Sequence, residues 1–217
     1  MNLESILLDD NYFQIIKSDS GKVWAYTDSP KFILIPEDFY SPDLRKQYFR
    51  VAHELSFDEV IFENTKIADK YRFLFALKQN IKNKIERKFP TAVFSHYAPV
   101  LSAQILALSQ NKPVVLVNRQ KHHFFLLISN HGELCLLNSF NYNHDNDISY
   151  FTLNALRNSG IEINQATIWY SGLTKKNDAS IEILRNYVPK AEILPDEGIE
   201  QNIDPEFKYF RFNQVIF

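Results

Sequence analysis

The sequence predicts a mixed α/β protein built from two successive halves, each a mixed sheet flanked by helices. Three observations carry that expectation. The second half, residues 91–217, reads as strand, helix, three strands, helix, strand, helix, strand. Antiparallel strands followed by alternating helices and strands make an α/β layer with a mixed sheet. The first half, residues 1–90, has a looser form of the same order. Hydrophobic residues make up 45% of the chain and charged ones 23%, as in globular proteins long enough to bury a core.

In the first half, Tyr12–Lys17, Lys22–Thr27 and Lys31–Ile35 alternate as strands do, and Asp19-Ser20-Gly21 supplies a hairpin turn between the first two. Ser41-Pro42 is a helix start, with Ser as cap and Pro at the first helical position. Leu44, Tyr48, Val51, Ala52 and Leu55 then recur at helical spacing. Glu59–Phe62 and Arg72–Leu77 read as strands. Lys78–Lys88 follows as an amphipathic helix whose stripe is Leu77, Ile81, Ile85 and Phe89. Its cations, Lys82, Lys84, Arg87 and Lys88, are read as a solvated surface rather than an anion-binding face, because the run is short and this half is neutral.

The second half restarts with strand Ala92–His96 and a helix, Pro99–Leu108, apolar on most sides and so expected to be buried. Strands Pro113–Val117, His122–Ser129 and Glu133–Asn138 follow, the last two joined by a tight turn at Asn130-His131-Gly132. Asp147–Asn158 is a helix stopped by Gly160. Ala166–Tyr170, Asp178–Tyr187 and Ala191–Leu194 close the series as strand, helix and strand. Pro195 to about Pro205 reads as an acidic loop. Residues 207–217 are aromatic, end in Val215-Ile216-Phe217, and are expected to dock on the body of the protein.

Charge excludes some classes of partner. The net charge is −2, with fourteen basic and fourteen acidic residues in 1–90 and ten basic and twelve acidic in 91–217. Neither half has the cationic excess of a nucleic-acid binder. The single cysteine, Cys135, rules out an intrachain disulfide and suits a reducing compartment. MNLESILLDD lacks the pattern of a signal peptide, and no apolar run is long enough to span a membrane. The expected location is the cytoplasm.

The chemistry-bearing residues form no complete motif. His122 and His123 are adjacent on a strand and point to opposite faces, so with His131 and His144 they make a poor metal site. Cys135 lies within a strand and reads as a buried structural thiol. Asp9-Asp10 and Glu37-Asp38 are carboxylate pairs beside turns, where such residues cap backbone groups. Nucleophile-elbow, P-loop and Rossmann glycine patterns are absent, and only five glycines occur in the chain.

Four segments carry a family resemblance: Ser29-Pro30-Lys31-Phe32-Ile33-Leu34-Ile35-Pro36-Glu37-Asp38-Phe39-Tyr40, Tyr48-Phe49-Arg50-Val51-Ala52-His53-Glu54-Leu55, Leu136-Leu137-Asn138-Ser139-Phe140-Asn141-Tyr142 and Ile168-Trp169-Tyr170-Ser171-Gly172. Together they resemble an uncharacterised bacterial family, the domain of unknown function numbered 3822, from about residue 22 to the C-terminus. That family is similar in fold to the actin-like ATPases, especially the pilus-assembly and cell-division actin homologues. The resemblance implies two ribonuclease-H-like halves facing a cleft, a truncated first half, and a helical insert at about 42–55 belonging to that half.

An actin-like ATPase needs two glycine-bearing hairpins whose backbone N–H groups cradle phosphates, each with a carboxylate for metal and water. By the resemblance, the chain starts late, so its first hairpin is missing or unrecognisable. The second falls at Val115–His123. There Asn118 stands where the family of ATPases has an acid and Gln120 where it has a glycine. Thr or Ser would be expected near His123 and Phe124, and Arg119 and Lys121 retain some attraction for an anion. The adenine-side glycine is kept as Tyr170-Ser171-Gly172.

The resemblance therefore implies a non-catalytic actin-like protein that serves as an interaction, scaffold or regulatory module. It predicts an unknown protein partner, no nucleic acid, and no bound metal or cofactor. The alternative is a degenerate ATP binder using Asn118, Gln120, Ser171 and Gly172 in the cleft. A nuclease on the same scaffold would need clustered carboxylates on the central strands, which carry His, Phe, Leu and Asn instead.

Overall fold

A computed structural model describes residues 2–8, 11–17, 21–174, 178–188 and 190–194. The chain divides into two compact units, Met1–Pro99 and Val100–Phe217.

The first unit holds two sheets. Strands β1 (Asn2–Leu8), β2 (Asn11–Lys17) and β3 (Val23–Thr27) are successive antiparallel neighbours. The chain then leaves this sheet to build a second one. Its strands are β4 (Phe32–Pro36), β5 (Glu59–Ile67) and β6 (Tyr71–Lys78), in the antiparallel order β4-β6-β5, with helix α1 (Arg45–Ala52) between β4 and β5. Helix α2 (Gln79–Lys88) leads back to β7 (Ala92–His96), which pairs with β3 in parallel. The insert is thus larger than the helix expected at 42–55. Strand Ala92–His96, expected to open the second half, completes the first unit's sheet.

The α1 stripe also differs from the expectation. Phe49 is the buried residue of the helix, packed with Ile35, Leu74 and Ala76, whereas Val51 is 88% exposed. A helix of eight residues is too short for apolar spacing to fix its phase, and the sheet beneath it selects Phe49. Pro42–Leu44 forms a single 3-10 turn before it, and Ser41 makes no side-chain cap bond. In α2 the periodicity holds: Ile81, Ile85 and the following Phe89 are buried.

His96 ties the two sheets of this unit. Its Nε2 donates to the Ser29 carbonyl at 2.8 Å and its Nδ1 accepts from the Ala98 amide at 3.0 Å. One nitrogen donating and the other accepting defines the neutral Nε2–H tautomer. The ring lies 5.0–5.4 Å from the rings of Phe32, Phe73 and Phe75. Glu37 does not act as a cap. It binds Arg72 through both oxygens (2.7 and 3.0 Å) and Lys66 at 2.9 Å, and the Arg72 and Lys66 bonds hold its carboxyl below the usual range.

Helix α3 (Tyr97–Leu108) precedes the second unit's five strands: β8 (Val114–Arg119), β9 (His123–Asn130), β10 (Glu133–Asn141), β11 (Thr167–Gly172) and β12 (Lys190–Ile193). Their order is β10-β9-β8-β11-β12, with β8, β9 and β10 antiparallel and β11 and β12 parallel to β8. Helices α4 (Asp145–Asn158) and α5 (Ala179–Arg185) make the two parallel crossovers. This is the ribonuclease-H-like order. Val115, Val117, Phe124, Leu126 and Ile128 of the central strands pack with Ile148 and Leu156 of α4 and Ile181 and Leu184 of α5. In the first unit the strand directions are alike, but the third strand, not the first, borders the parallel strand.

Local chemistry sets the ends of these elements. His131 and Gly132 take φ of 49° and 76°, the paired left-handed positions of a two-residue hairpin turn between β9 and β10. Gly160 stops α4 with φ 67°. Cys135, expected to be buried, is exposed. The register shifts between Leu134 and Leu136, so Cys135 is the extra residue of a bulge on an edge strand and turns outward. Asp9-Asp10, Asp19-Ser20 and the tail from Pro195 lie outside the described residues. No described helix is long and apolar enough to cross a membrane.

Candidate functional site

Asn118, Gln120, Ser171 and Gly172 come together at one corner of the second unit. The parallel pairing of β8 and β11 sets Asn118 opposite Ser171 and Arg119 opposite Gly172. Three of the four share a hydrogen-bonded chain. Gln120 Nε2 donates to Asn118 Oδ1 at 2.6 Å, and Asn118 Nδ2 donates to Ser171 Oγ at 2.8 Å. Asn118 is 5% exposed and Ser171 fully buried. The asparagine uses donor and acceptor at once, which a carboxylate cannot do.

The β8–β9 turn is closed by its own backbone. Gln120 N donates to the His123 carbonyl at 2.8 Å. Gln120 is not among the described residues with positive φ, which are Ala68, Asp69 and His131 besides glycines. The left-handed geometry that would call for glycine is therefore not used here. Gly172 does take φ 80°, and a Cβ on it would overlap the Arg119 carbonyl oxygen. This glycine is thus required by β8, and Leu173 N donates to that same carbonyl at 2.8 Å.

Arg119 is the hub of the corner. Its Nε donates to the Tyr142 hydroxyl at 3.1 Å, one terminal nitrogen to Asp178 Oδ2 at 2.5 Å and the other to Asp145 Oδ1 at 2.7 Å. The guanidinium lies over the Tyr142 ring, 5.0 Å from its centre. Tyr142 in turn donates to the Gln120 carbonyl at 2.7 Å, bracing the turn. Asp178 is the N-cap of α5, accepting from Ser180 N at 3.0 Å and Ser180 Oγ at 2.6 Å, and Asp145 opens α4. Burial opposes the charge on Arg119, but the Tyr142 bond and the Asp178 and Asp145 carboxylates hold its pKa above the usual value. Next to Ser171, burial pushes the Tyr170 hydroxyl above its usual range.

The expected attraction of Arg119 for an anion is therefore corrected: two carboxylates of its own unit already meet that charge. Tyr142, Asp145 and Asp178 were not singled out by sequence reasoning. The signal available was Asp178-Ala179-Ser180, a cap pattern at the start of α5. Nothing local pairs a cap with an arginine 59 positions away. His123 opens β9 and is buried, whereas His122 lies in the turn before that strand and is exposed. Among the described residues, no group of three or more His, Cys, Asp and Glu is placed to hold a metal.

The model of the family described as protein of unknown function DUF3822 matches residues 11–191. The chain belongs to this family. The DUF3822 chain is similar in structure to a Bacteroides thetaiotaomicron protein with an actin-like ATPase fold and unknown function. That likeness has a TM-score of 0.77 and 14% identity, covering 88% of this chain and 90% of that one. It is also similar, with a TM-score of 0.50 and 9% identity over 84% of this chain and 71% of that one, to a chain of the PilM-PilN type IV pilus biogenesis complex. No curated protein matches the sequence. The fold of the DUF3822 chain is actin-like, as the sequence resemblance implied.

Proposed function

We propose that this DUF3822 chain is a non-catalytic actin-like protein that acts as an interaction, scaffold or regulatory module. One observation carries the reading. The corner that the family resemblance likens to a phosphate grip is filled by the chain's own side chains, with Asn118 tied to Gln120 and Ser171 and Arg119 tied to Asp145 and Asp178. An incoming triphosphate would have to break the Arg119 pairs and free the Gln120 amide from His123. Both carry desolvation costs that a glycine turn avoids. The solved neighbour from a pilus biogenesis complex supports a role among protein partners.

A phosphate-release assay with Mg-ATP tests the catalytic half of this reading. The expected rate equals that of buffer alone; turnover that Asn118→Ala abolishes would contradict it. Crosslinking in the native cell tests the other half, with a partner recovered equally from cells replete in and depleted of ATP as the expected result.

A further inference from the structure

His96 ends strand β7 and stands immediately before helix α3. An α-helix leaves its first amides without a partner inside the helix. In α3 these belong to Tyr97, Ala98 and Val100, since Pro99 carries no N–H. The amide of Ala98, itself a buried residue, finds its acceptor in His96 Nδ1 at 3.0 Å. His96 therefore caps α3 through a ring nitrogen, at the place usually taken by Ser, Thr, Asp or Asn. A serine or asparagine cap accepts whatever the pH. A histidine accepts through this nitrogen only while its ring is neutral.

The surroundings make the charged ring a different object. Nε2–H is committed to the Ser29 carbonyl at 2.8 Å, so a proton arriving from solvent must go to Nδ1. It would set one N–H against the Ala98 N–H and place a positive charge at the positive end of the helix. The ring is wholly buried among Phe32, Phe73 and Phe75, which give a charge no solvation. The β3–β4 connection brings Asp28, buried and one residue from Ser29, and Lys31, which pairs with Glu59. Strand β4 carries no titratable side chain of its own, but His53 binds its Phe32 carbonyl at 2.8 Å. Strand β6 brings Tyr71, Lys78 and Arg72, the last paired with Glu37 and Glu63. From β3 and α3 come Tyr26 and Tyr97, stacked with centroids 6.2 Å apart. We propose that His96 is an acid-sensitive latch on α3: neutral, it caps the helix; protonated, it releases the Ala98 amide and the first turn of α3 opens. The chain passes from the first unit to the second within that turn, between Pro99 and Val100.

NMR of the full chain tests this by following the His96 ring nitrogens and the Ala98 amide exchange from about pH 7.5 to about pH 5. At the upper end the ring is expected as the single Nε2–H tautomer. As the pH falls it becomes the imidazolium. With the same midpoint the Ala98 amide loses about tenfold or more of its protection, corrected for intrinsic exchange. His96→Asn keeps a cap acceptor that takes no proton, so Ala98 protection should be flat across this range. If that variant does not fold, His53→Gln removes the other histidine of the neighbourhood and should leave the midpoint unmoved. A ring that stays neutral until the whole chain unfolds would overturn the proposal. So would an imidazolium that forms while the Ala98 amide stays protected.

Discussion

Gly172 lies against the carbonyl oxygen of Arg119, across the parallel pairing of β11 and β8, with no room for a Cβ between them. The same carbonyl accepts from Leu173 N, so the backbone there is held from both sides. The smallness of Gly172 there serves strand packing. Gly172→Ala is expected to lower stability by about 2–4 kcal/mol, since it adds a backbone overlap to a φ of 80° that alanine disfavours. Urea denaturation of the two forms checks this.

Arg119 and Asp178 should be strongly coupled. The Asp178 side chain is 2% exposed and that of Arg119 18%. Removing Arg119 leaves the buried Asp178 carboxylate uncompensated, at a cost of about 3–5 kcal/mol, whereas without Asp178 the guanidinium keeps Asp145 and the loss is smaller. Arg119→Ala and Asp178→Ala together should cost less than their sum by at least about 1 kcal/mol. Additive losses in a double-mutant cycle would show that the pair is not a unit.

Gln104 offers the opposite sign. It is 1% exposed on α3, and among the described residues neither of its amide atoms has a partner. Gln104→Met keeps the volume and removes two buried polar atoms, so thermal unfolding should rise by the equivalent of about 1 kcal/mol.

At alkaline pH, Tyr40 provides a marker in the first unit. Burial, then its hydrogen bond to Glu63 at 2.6 Å, pushes its hydroxyl from 10.0 up to about 12. The folded value lies above the unfolded one, so the stabilisation is whole below pH 10.0 and is lost as pH rises through about 12. Tyrosinate absorbance should show this group among the late-titrating ones, and Tyr40→Phe should remove it.

At acid pH the marker is Asp147. Its carboxylate accepts from Asn143 N at 2.9 Å and His144 N at 3.0 Å, and these bonds hold its pKa below the usual 3.8. Its stabilisation is present above the unfolded value and disappears as pH falls through the folded one. Asp147→Ala should therefore destabilise at neutral pH and flatten the acid limb of the stability curve.

The second unit was legible in its sequence because its strands are continuous apolar runs and its helices have clear end signals, a stop at Gly160 and a start at Asp178. The hydrogen bonds that join Asn118 to Gln120 and Ser171 were not legible, because they depend on the β8–β11 pairing. Pairing across distance was hidden: spacing cannot show that β7 returns to β3, or that Arg119 reaches a helix cap. Strand β1 was missed because its alternation is weak, and Cys135 was misplaced because a bulge reverses which face a residue takes.

The central claim is that the corner at Asn118 and Ser171 takes no nucleotide, because its own residues close it. Thermal unfolding of the full chain across a Mg-ATP titration into the millimolar range tests it most directly. A ligand at one hundred times its dissociation constant stabilises by about 2.7 kcal/mol, a shift easily resolved. The account predicts no saturable change in the midpoint. A saturable rise that Asn118→Ala or Ser171→Ala removes would contradict it.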